Sequence, residues 1–261
     1  MTKGRSFHGE EGIHGERWLE LHDGYFGDHE VAWPFLNTIE EIIDKSHPAV
    51  IADLGGGTGF ILGELLRRSN TAEMKLINVD VSSKQLSLCL DKRIVTICES
   101  ASLVTRRHLQ VGDGALLLIA RSLLHYFGKF GSRSLLRNIR SLLREGELFI
   151  HQSACFGQDS DARCLNLLYS LMGTEKWYGT EGEMTEMLQQ AGLEICSSSP
   201  APTLHLSSRD LSERYGLSPE RISSIRTEVK RQHGNIPDVF SPTDDGFDAW
   251  LHYRIFVCRA I

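Results

Sequence analysis

The sequence predicts an α/β domain in which helices cover both faces of a mostly parallel sheet, a doubly wound arrangement. Short apolar runs, beginning with those at 50–54 and 75–81, alternate with stretches of helical periodicity, and this alternation is typical of parallel sheets with helical crossovers. Acidic residues also stand at or near the ends of three apolar runs, as Asp53, Asp80 and Glu99. Because ligands bind beyond the carboxyl ends of parallel strands, these acids indicate a ligand site there.

Length and composition limit the classes of protein that this chain fits. A chain of 261 residues with 41% hydrophobic residues buries a sizeable core, and one large domain is the default at that length. The net charge of -6 argues against a nucleic-acid partner, since such proteins carry basic patches. The six cysteines form no C-x-x-C pair, and no apolar run approaches the roughly 20 residues that span a bilayer. We therefore expect a soluble, cytoplasmic protein without a membrane partner.

Residues 1–48 are predicted to form an N-terminal helical cap. Apolar residues recur at helical spacing from about residue 34 to 46, and Pro34 is placed to begin that helix. Histidines are frequent in this part of the chain, but their spacing matches no zinc pattern and no cysteine pair accompanies them. We therefore expect no metal site at these histidines, which are His8, His14, His22 and His29.

Seven strands are predicted, and a long insertion separates the last two. The strands are expected at 50–54, 75–81, 93–98, 115–120, 147–151, 193–196 and 252–258. The insertion covers about residues 203–248 and contains two helix starts, at Ser208 and at Ser218-Pro219. The main domain is expected at 49–261. The insertion is expected either to shape a pocket or an oligomer contact, such as that of a homodimer, or to be a surface decoration.

The first predicted strand runs into a glycine-rich turn, Asp53-Leu54-Gly55-Gly56-Gly57-Thr58-Gly59. The glycine spacing is G-x-G-x-G, and Phe60 stands where the dinucleotide fingerprint G-x-G-x-x-G has its last glycine. No G-K-[ST] follows, which excludes a P-loop. The carboxylate of Asp53 would repel a pyrophosphate but suits a ligand with an ammonium or sulfonium charge. Asp80 is placed to accept hydrogen bonds from ribose hydroxyls.

These motifs, together with three that follow, resemble those of class I S-adenosylmethionine-dependent methyltransferases. The turn at 52–59 is similar to the glycine motif of that family, and Asp80 matches its acid at the end of strand two. The segment Glu99-Ser100-Ala101 resembles the third motif, and residues 118–127 resemble the fourth. The stretch 142–150 is similar to the one that leads into strand five. The five motifs occur in the order of the family.

The resemblance covers roughly residues 50–150 and implies a Rossmann-like fold whose seven-stranded sheet ends in an antiparallel pair. The chain departs from the family at Glu145, which takes a position in a turn that is usually proline. Val111-Gly112-Asp113-Gly114 also looks like the third motif, but too little chain follows it to return through a helix to strand four. S-adenosylmethionine is the implied cofactor. The implied cofactor-binding residues are Asp53, Gly55, Gly56, Gly57, Gly59, Asp80, Val81, Glu99, Ser100, Ala101, Arg121 and Ser122.

Methyl transfer from a sulfonium is an in-line displacement, so the main tasks are to align the acceptor and to exclude water. His125 follows the fourth strand and suits general-base work near neutral pH, with Tyr126 as the second catalytic candidate. The motifs that accompany nucleic-acid base methylation are absent and the chain is acidic, so we expect a small-molecule acceptor, with oxygen as the acceptor atom. The residues expected to line the substrate pocket are Tyr25, Phe26, Trp33, Trp177 and Tyr178.

Two other functions remain open at the level of sequence. A partner subunit that binds S-adenosylmethionine without catalysing a reaction would carry the same motifs. An aminopropyltransferase, which uses the decarboxylated cofactor, is a weaker alternative, because that family usually has an acid where Thr58 stands. Cofactor binding without turnover of any acceptor would favour the partner subunit.

Overall fold

The β-sheet at the centre of the protein is defined by a computed structural model that describes residues 24–69 and 71–261. Nine strands within these residues belong to it. In chain order they are β1 (Val50–Leu54), β2 (Lys75–Asp80), β3 (Ile94–Cys98), β4 (Leu116–Arg121), β5 (Leu148–Phe156), β6 (Gly179–Thr180), β7 (Leu193–Ser207), β8 (Phe240–Pro242) and β9 (Phe247–Ala260).

Seven of these strands form one continuous path in the order β3-β2-β1-β4-β5-β9-β7, with the short β6 on β5 and the short β8 on β9. Strands β1 to β5 pair in parallel, whereas β9 is antiparallel to both β5 and β7. The predicted parallel sheet with an antiparallel last pair is thereby confirmed. The direction of strand order reverses between β1 and β4, and such a switch point leaves a crevice beyond the carboxyl ends of the two strands.

The described residues contain nine α-helices, and the first of them precedes β1. They are α1 (His29–Ser46), α2 (Phe60–Arg68), α3 (Ser83–Leu86), α4 (Arg106–Leu109), α5 (Gly128–Leu142), α6 (Asp159–Leu171), α7 (Glu181–Gln190), α8 (Ser208–Tyr215) and α9 (Pro219–His233). A short 3-10 turn, Leu124–Phe127, leads from β4 into α5. None of the helices in this part of the chain combines the length and the apolar character needed to cross a bilayer.

The helices cover both faces of the sheet. Helices α1 and α2 bury their apolar residues on one face, around Ile51 of β1, and α5 and α7 bury theirs on the other face, around Ala52. A third apolar cluster joins α6, α8 and α9 to the late strands and includes Tyr25 and Phe26. The neighbouring residues Ile51 and Ala52 face opposite helix layers because successive side chains of a strand alternate between its two faces.

The first described helix begins five residues before the predicted start at Pro34. Asp28 is its N-cap, and its side-chain oxygen accepts hydrogen bonds from the backbone N–H groups of Glu30 (2.7 Å) and Val31 (3.0 Å). Placing Pro34 in the first turn was therefore wrong, since this residue lies inside α1. An Asp side chain that satisfies two free N–H groups outweighs the preference of proline for the first turn.

The strands β7 and β9 are much longer than the predicted segments 193–196 and 252–258. Their pairing continues to Ser207 opposite Asp248, so α8 begins directly after the sheet and both ends of the 203–248 segment are strand. The sequence pattern did not predict this extension, because residues Ser197–Pro200 are a polar run. A strand at the edge of a sheet tolerates proline and serine, because one side of its backbone has no ladder to complete.

Candidate functional site

A cavity opens beyond the carboxyl ends of β1, β2 and β4, at the switch point of the sheet. Ten of the twelve residues predicted to bind the cofactor line it, and Gly59 and Glu99 do not. The ten are Asp53, Gly55, Gly56, Gly57, Asp80, Val81, Ser100, Ala101, Arg121 and Ser122. The sheet topology therefore gathers residues that are up to 69 positions apart in the chain, from Asp53 to Ser122, around one space.

The glycine turn is held close to the residues beneath it. A Cβ atom on Gly56 would lie 2.3 Å from Asn78 Oδ1 and 2.7 Å from Asp53 Cγ, so a side chain does not fit there. Gly59 caps the start of α2 with a φ of 78°, and a Cβ atom on it would lie 2.5 Å from the Sγ atom of Cys89. Gly59 therefore lies against Cys89 and is not part of the cavity wall.

Asp53 is a buried acid with neither carboxylate oxygen hydrogen-bonded to a described residue. Only 1% of its surface is exposed. Burial, and secondly the charge of Asp80, raise the pKa of Asp53 from 3.8 to about 7, while Arg121 acts in the opposite direction. Buried polar groups in native proteins normally have a partner. An acid of this kind in a cavity wall therefore fits a ligand that brings a positive charge or a hydrogen-bond donor.

Asp80, at the end of β2, fastens the glycine turn to the neighbouring strand. Its Oδ2 atom accepts a hydrogen bond from the backbone N–H of Gly57 (2.9 Å), and its Oδ1 atom accepts one from the backbone N–H of Ser82 (2.8 Å). Both donors are backbone N–H groups, and the Asp80 side chain also lines the cavity. Asp80 therefore both shapes the turn and presents an acceptor to the cavity.

The segment that follows β3 contributes Ser100 and Ala101 to the cavity. Glu99 Oε1 accepts a hydrogen bond from the backbone N–H of Ser100 (2.8 Å), and this carboxylate is not part of the wall. The other candidate for this motif, Val111–Gly114, precedes β4 and so lies at the amino end of that strand, away from the cavity. The choice of the 99–101 segment over 111–114 is consistent with this placement.

Arg121, at the end of β4, holds the described start of the chain against the cavity. Its Nη1 atom donates to the carbonyl oxygen of Phe26 (3.1 Å) and its Nη2 atom donates to that of Tyr25 (3.4 Å). Phe26, one of the residues predicted for the substrate pocket, lines the cavity. Tyr25 does not, because its hydroxyl donates to the carbonyl oxygen of Pro202 (2.5 Å) and its side chain is buried.

The structure does not bring the other three predicted pocket aromatics to the cavity wall. Trp33 is 55% exposed on α1, where the guanidinium carbon of Arg68 lies 4.0 Å from its ring centre. Trp177 packs at the edge of a core cluster, with Lys129 Nζ 5.3 Å from its ring centre. Tyr178 is almost fully buried in the core. Trp177 and Tyr178 are thus used for packing, and Trp33 makes a cation–π contact at the surface.

Of the two catalytic candidates, Tyr126 lines the cavity and His125 does not. Both belong to the 3-10 turn after β4. The imidazole of His125 is buried and stacks on Tyr178, with ring centres 5.2 Å apart, and its carbonyl oxygen accepts a hydrogen bond from the backbone N–H of Trp177 (3.1 Å). These contacts describe a packed histidine, so Tyr126 is the better placed candidate for contact with a ligand.

Several cavity residues were not identified from the sequence, among them Gln85 and Leu123. Gln85 lies in the four-residue helix α3, whose N-cap is Ser82. Leu123 packs against the glycine turn, since a Cβ atom on Gly55 would lie 2.6 Å from its Cδ1 atom. Their positions directly after β2 and β4 were the available signal, because loops at that edge of the sheet face the crevice.

No group of three metal-ligating side chains occurs within residues 24–69 and 71–261. Of the N-terminal histidines, His8, His14 and His22 lie outside the described residues. His29 is engaged in another way, because its Nδ1 atom lies 2.7 Å from Oε2 of the buried Glu64.

Solved structures share this fold, while no protein-family model and no curated protein sequence matches the chain. The YcgJ protein of Bacillus subtilis is 13% identical with a TM-score of 0.64, over 89% of this chain and 99% of that one. The 1,6-didemethyltoxoflavin-N1-methyltransferase of Burkholderia thailandensis, solved with S-adenosylhomocysteine, is 17% identical with a TM-score of 0.53, over 97% and 89%. The [4+2]-cyclase SpnF is 15% identical with a TM-score of 0.54, over 87% and 80%. The chain therefore has the Rossmann-like fold of class I methyltransferases, on which more than one chemistry occurs.

Proposed function

We propose that this protein is an S-adenosylmethionine-dependent methyltransferase that acts on an oxygen atom of a small-molecule acceptor by in-line displacement. The observation that carries the proposal is a glycine turn in which Gly56 has no space for a side chain, next to the buried Asp53 carboxylate. This combination lies at the switch point of a methyltransferase-type sheet, beside the acceptor oxygens of Asp80. SpnF shares the fold, so the proposal depends on the residues of the site and not on the fold alone.

The residues of the cavity fit S-adenosylmethionine group by group. The buried Asp53 carboxylate suits the positive charge of the cofactor, because a buried carboxylate is stabilised by a nearby cation. Asp80 would accept hydrogen bonds from the ribose hydroxyls, because it lines the cavity at the end of β2 beside the glycine turn. Val81, Ser100 and Ala101 would hold the adenine between them. The bound cofactor supplies an electrophilic methyl group.

The remaining wall of the cavity would position the acceptor. Phe26 and Phe127 supply apolar surface that excludes water, and Tyr126 supplies a hydroxyl. Alignment of the acceptor oxygen with the methyl group is the main source of rate in such a displacement. The net charge of -6 supports a small-molecule acceptor over a nucleic acid.

The insertion at residues 203–248 contacts the residues of this wall. Arg214, in α8, donates from Nη2 to the hydroxyl of Tyr126 (3.4 Å), and Ile222 and Ile225 of α9 belong to the same apolar cluster as Phe26. Among the roles considered for residues 203–248, these contacts favour shaping of the pocket over a surface decoration. The division into a 1–48 cap and a 49–261 domain, and a homodimer, stay predictions.

The test is a search for the labelled product. The protein is incubated with S-adenosylmethionine carrying an isotopically labelled methyl group and a small-molecule extract, and labelled compounds are identified by mass spectrometry. We expect a labelled methyl ether or ester whose yield at limiting cofactor concentration falls with the Asp80→Ala variant. A label found only on nitrogen or carbon would overturn the assignment of oxygen. Cofactor binding with no labelled product from any extract would favour the non-catalytic partner subunit.

A further inference from the structure

The strand β3 lies at one edge of the sheet, where within the described residues it pairs only with β2. We propose that this edge is the contact surface for a second copy of the chain, whose β3 pairs with it antiparallel about a two-fold axis at Thr96. The sheets of the two copies then join into one continuous sheet. This surface lies outside the wall of the cofactor cavity, and the inference does not depend on the proposed function.

The two edges of the sheet differ in how they are protected against pairing. At the other edge, β7 contains Pro200 and Pro202 and has two irregularities in its register with β9. Proline and bulges are means by which proteins prevent edge strands from pairing with other chains. In contrast, β3 is a regular strand, Ile94–Cys98, and contains neither proline nor a charged residue. Its open edge is therefore suited to pairing.

Backbone groups of β3 point away from the sheet at every second residue. The N–H of Glu99 donates to the carbonyl oxygen of Asp80 in β2 (3.1 Å), so the odd-numbered residues of β3 bond to β2. Thr96 and Cys98 therefore direct their N–H groups outward, as residues at a sheet edge do. In the proposed pairing, Thr96 exchanges both backbone hydrogen bonds with its own copy. The N–H of Cys98 donates to the carbonyl oxygen of Ile94 in the second copy.

The side chains of β3 and its flanking residues match across this axis. On one face of the strand, Arg93 lies opposite Glu99 of the second copy. Val95 lies opposite Ile97 on the same face, and both pairs occur twice by symmetry. On the other face, Thr96 meets its own copy at the axis. Opposite charges, β-branched side chains and threonine pairs are all favourable across neighbouring strands, so residues 93–99 are complementary to themselves in the antiparallel direction.

The charges at the two ends of β3 determine the register. The amino end carries Asp91, Lys92 and Arg93, which leave a net positive charge even though Arg93 Nη2 donates to Asp91 Oδ2 (2.7 Å). The carboxyl end carries Glu99. A shift of the axis by one residue toward the start of the chain would place Asp91 opposite Glu99, two like charges. The opposite shift would place Glu99 against the apolar Val95. The axis at Thr96 avoids both.

Exposed apolar side chains are concentrated beside this edge. Of the large hydrophobic side chains that are exposed in the described residues, half lie within residues 81–95, namely Val81, Leu88, Leu90 and Val95. Val95 is on β3 itself and is 43% exposed, and the 83% exposed Leu90 lies in the segment that leads into the strand. Clusters of exposed apolar side chains mark interaction surfaces. A second copy on β3 would cover Val95 directly.

The test is sedimentation velocity of the full chain at increasing protein concentration under reducing conditions. We expect a reversible monomer–dimer equilibrium in the wild type. Arg93→Glu should weaken dimerisation roughly 10-fold or more, because like charges then meet twice across the axis. Adding Glu99→Arg should restore the dimer to within about 3-fold of the wild type, since each pair is then reversed. Arg209→Glu, the same change beside an acid on α8, is the control and should have no effect.

Disulfide trapping tests the register, in a background where the exposed Cys98 and Cys196 are changed to serine. Thr96→Cys should form a disulfide-linked dimer on oxidation, because the axis residue faces its own copy at about 5.5 Å between Cα atoms. Val95→Cys should not, because it lies diagonally from its own copy, at about 7–8 Å.

The outcomes that contradict the inference are distinct. A wild type that stays monomeric throughout the micromolar range, or a dimer that Arg93→Glu leaves unchanged, would overturn it. A dimer weakened by Arg209→Glu instead would place the contact in the 203–248 insertion. A monomer in which the amides of Thr96 and Cys98 resist hydrogen exchange would mean that another segment of the chain covers the edge, and would also overturn it. Should Glu99→Arg fail to fold, Arg93→Glu and the disulfide variants still decide the result.

Discussion

Replacing Asp53 by asparagine removes one buried negative charge from the centre of the candidate site and keeps nearly the same shape. Burial raises the pKa of this carboxyl from 3.8 to about 7. The folded protein therefore holds a proton on Asp53 that the unfolded chain releases at lower pH. The stability of the folded state consequently falls as the pH rises from about 4 to about 7 and then levels off. The asparagine variant has no such loss.

The size of the effect follows from the shift in pKa. Each unit corresponds to about 1.4 kcal/mol, so the rise at Asp53 amounts to a cost on the order of 4 kcal/mol above pH 7. At pH 5 most of this cost has not yet developed. We expect the stability advantage of Asp53→Asn over the wild type to be about 3 kcal/mol larger at pH 8 than at pH 5.

The assay is denaturant unfolding of both proteins without cofactor at pH 5 and pH 8. Asp44→Asn, a change of the same chemistry at an exposed position of α1, serves as the control and should leave the pH response close to that of the wild type. If the unfolding free energies of the wild type and Asp53→Asn changed equally between pH 5 and pH 8, the reasoning would be refuted, because Asp53 would then titrate alike in the folded and unfolded states. In the presence of S-adenosylmethionine we expect the ranking to reverse, since the ligand needs the charge that destabilises the empty protein.

Three further predictions concern single residues. Asp80→Ala should weaken S-adenosylhomocysteine binding roughly 10-fold to 100-fold in calorimetry, because charged hydrogen bonds are lost, and unchanged affinity would remove Asp80 from the site. Gly56→Ala should lower the unfolding free energy by about 1–3 kcal/mol through its clash with Asn78, whereas Gly157→Ala, with open space around it, should not. Asp28→Ala should cost about 1 kcal/mol in denaturant unfolding by removing the cap of α1, and no change would mean that the cap is dispensable.

Strands β1, β2 and β4, which end at the candidate cofactor site, were predictable because they are buried on both faces. Strands β1 and β4 are almost continuous apolar runs, and β1 and β2 each carry an acid at or near the carboxyl end. Such runs have few other interpretations. The full length of β7 was not predictable in this way. It is an edge strand, and its serines and prolines are residues typical of loops. Its full length is apparent only from its pairing with β9.

The residues proposed to contact the acceptor were not predictable from local sequence patterns. Aromatic side chains such as Trp33 and Trp177 serve equally well for packing and for pocket walls, and only the tertiary contacts distinguish the two uses. The approach of Arg214 to Tyr126 joins residues 88 positions apart and leaves no local pattern. The residues proposed to bind the cofactor lie at or after strand ends and carry recognisable motifs, whereas those proposed to position the acceptor come from scattered elements.

Calorimetric titration of the wild-type protein with S-adenosylmethionine and with S-adenosylhomocysteine tests the central claim most directly. The glycine turn, the buried Asp53 and the acceptor oxygens of Asp80 predict that both ligands bind one site with a dissociation constant between micromolar and millimolar. Asp80→Ala should weaken the binding of both. Absence of binding for either ligand up to millimolar concentration, with a protein shown to be folded, would contradict the assignment of this cavity as a methyltransferase cofactor site.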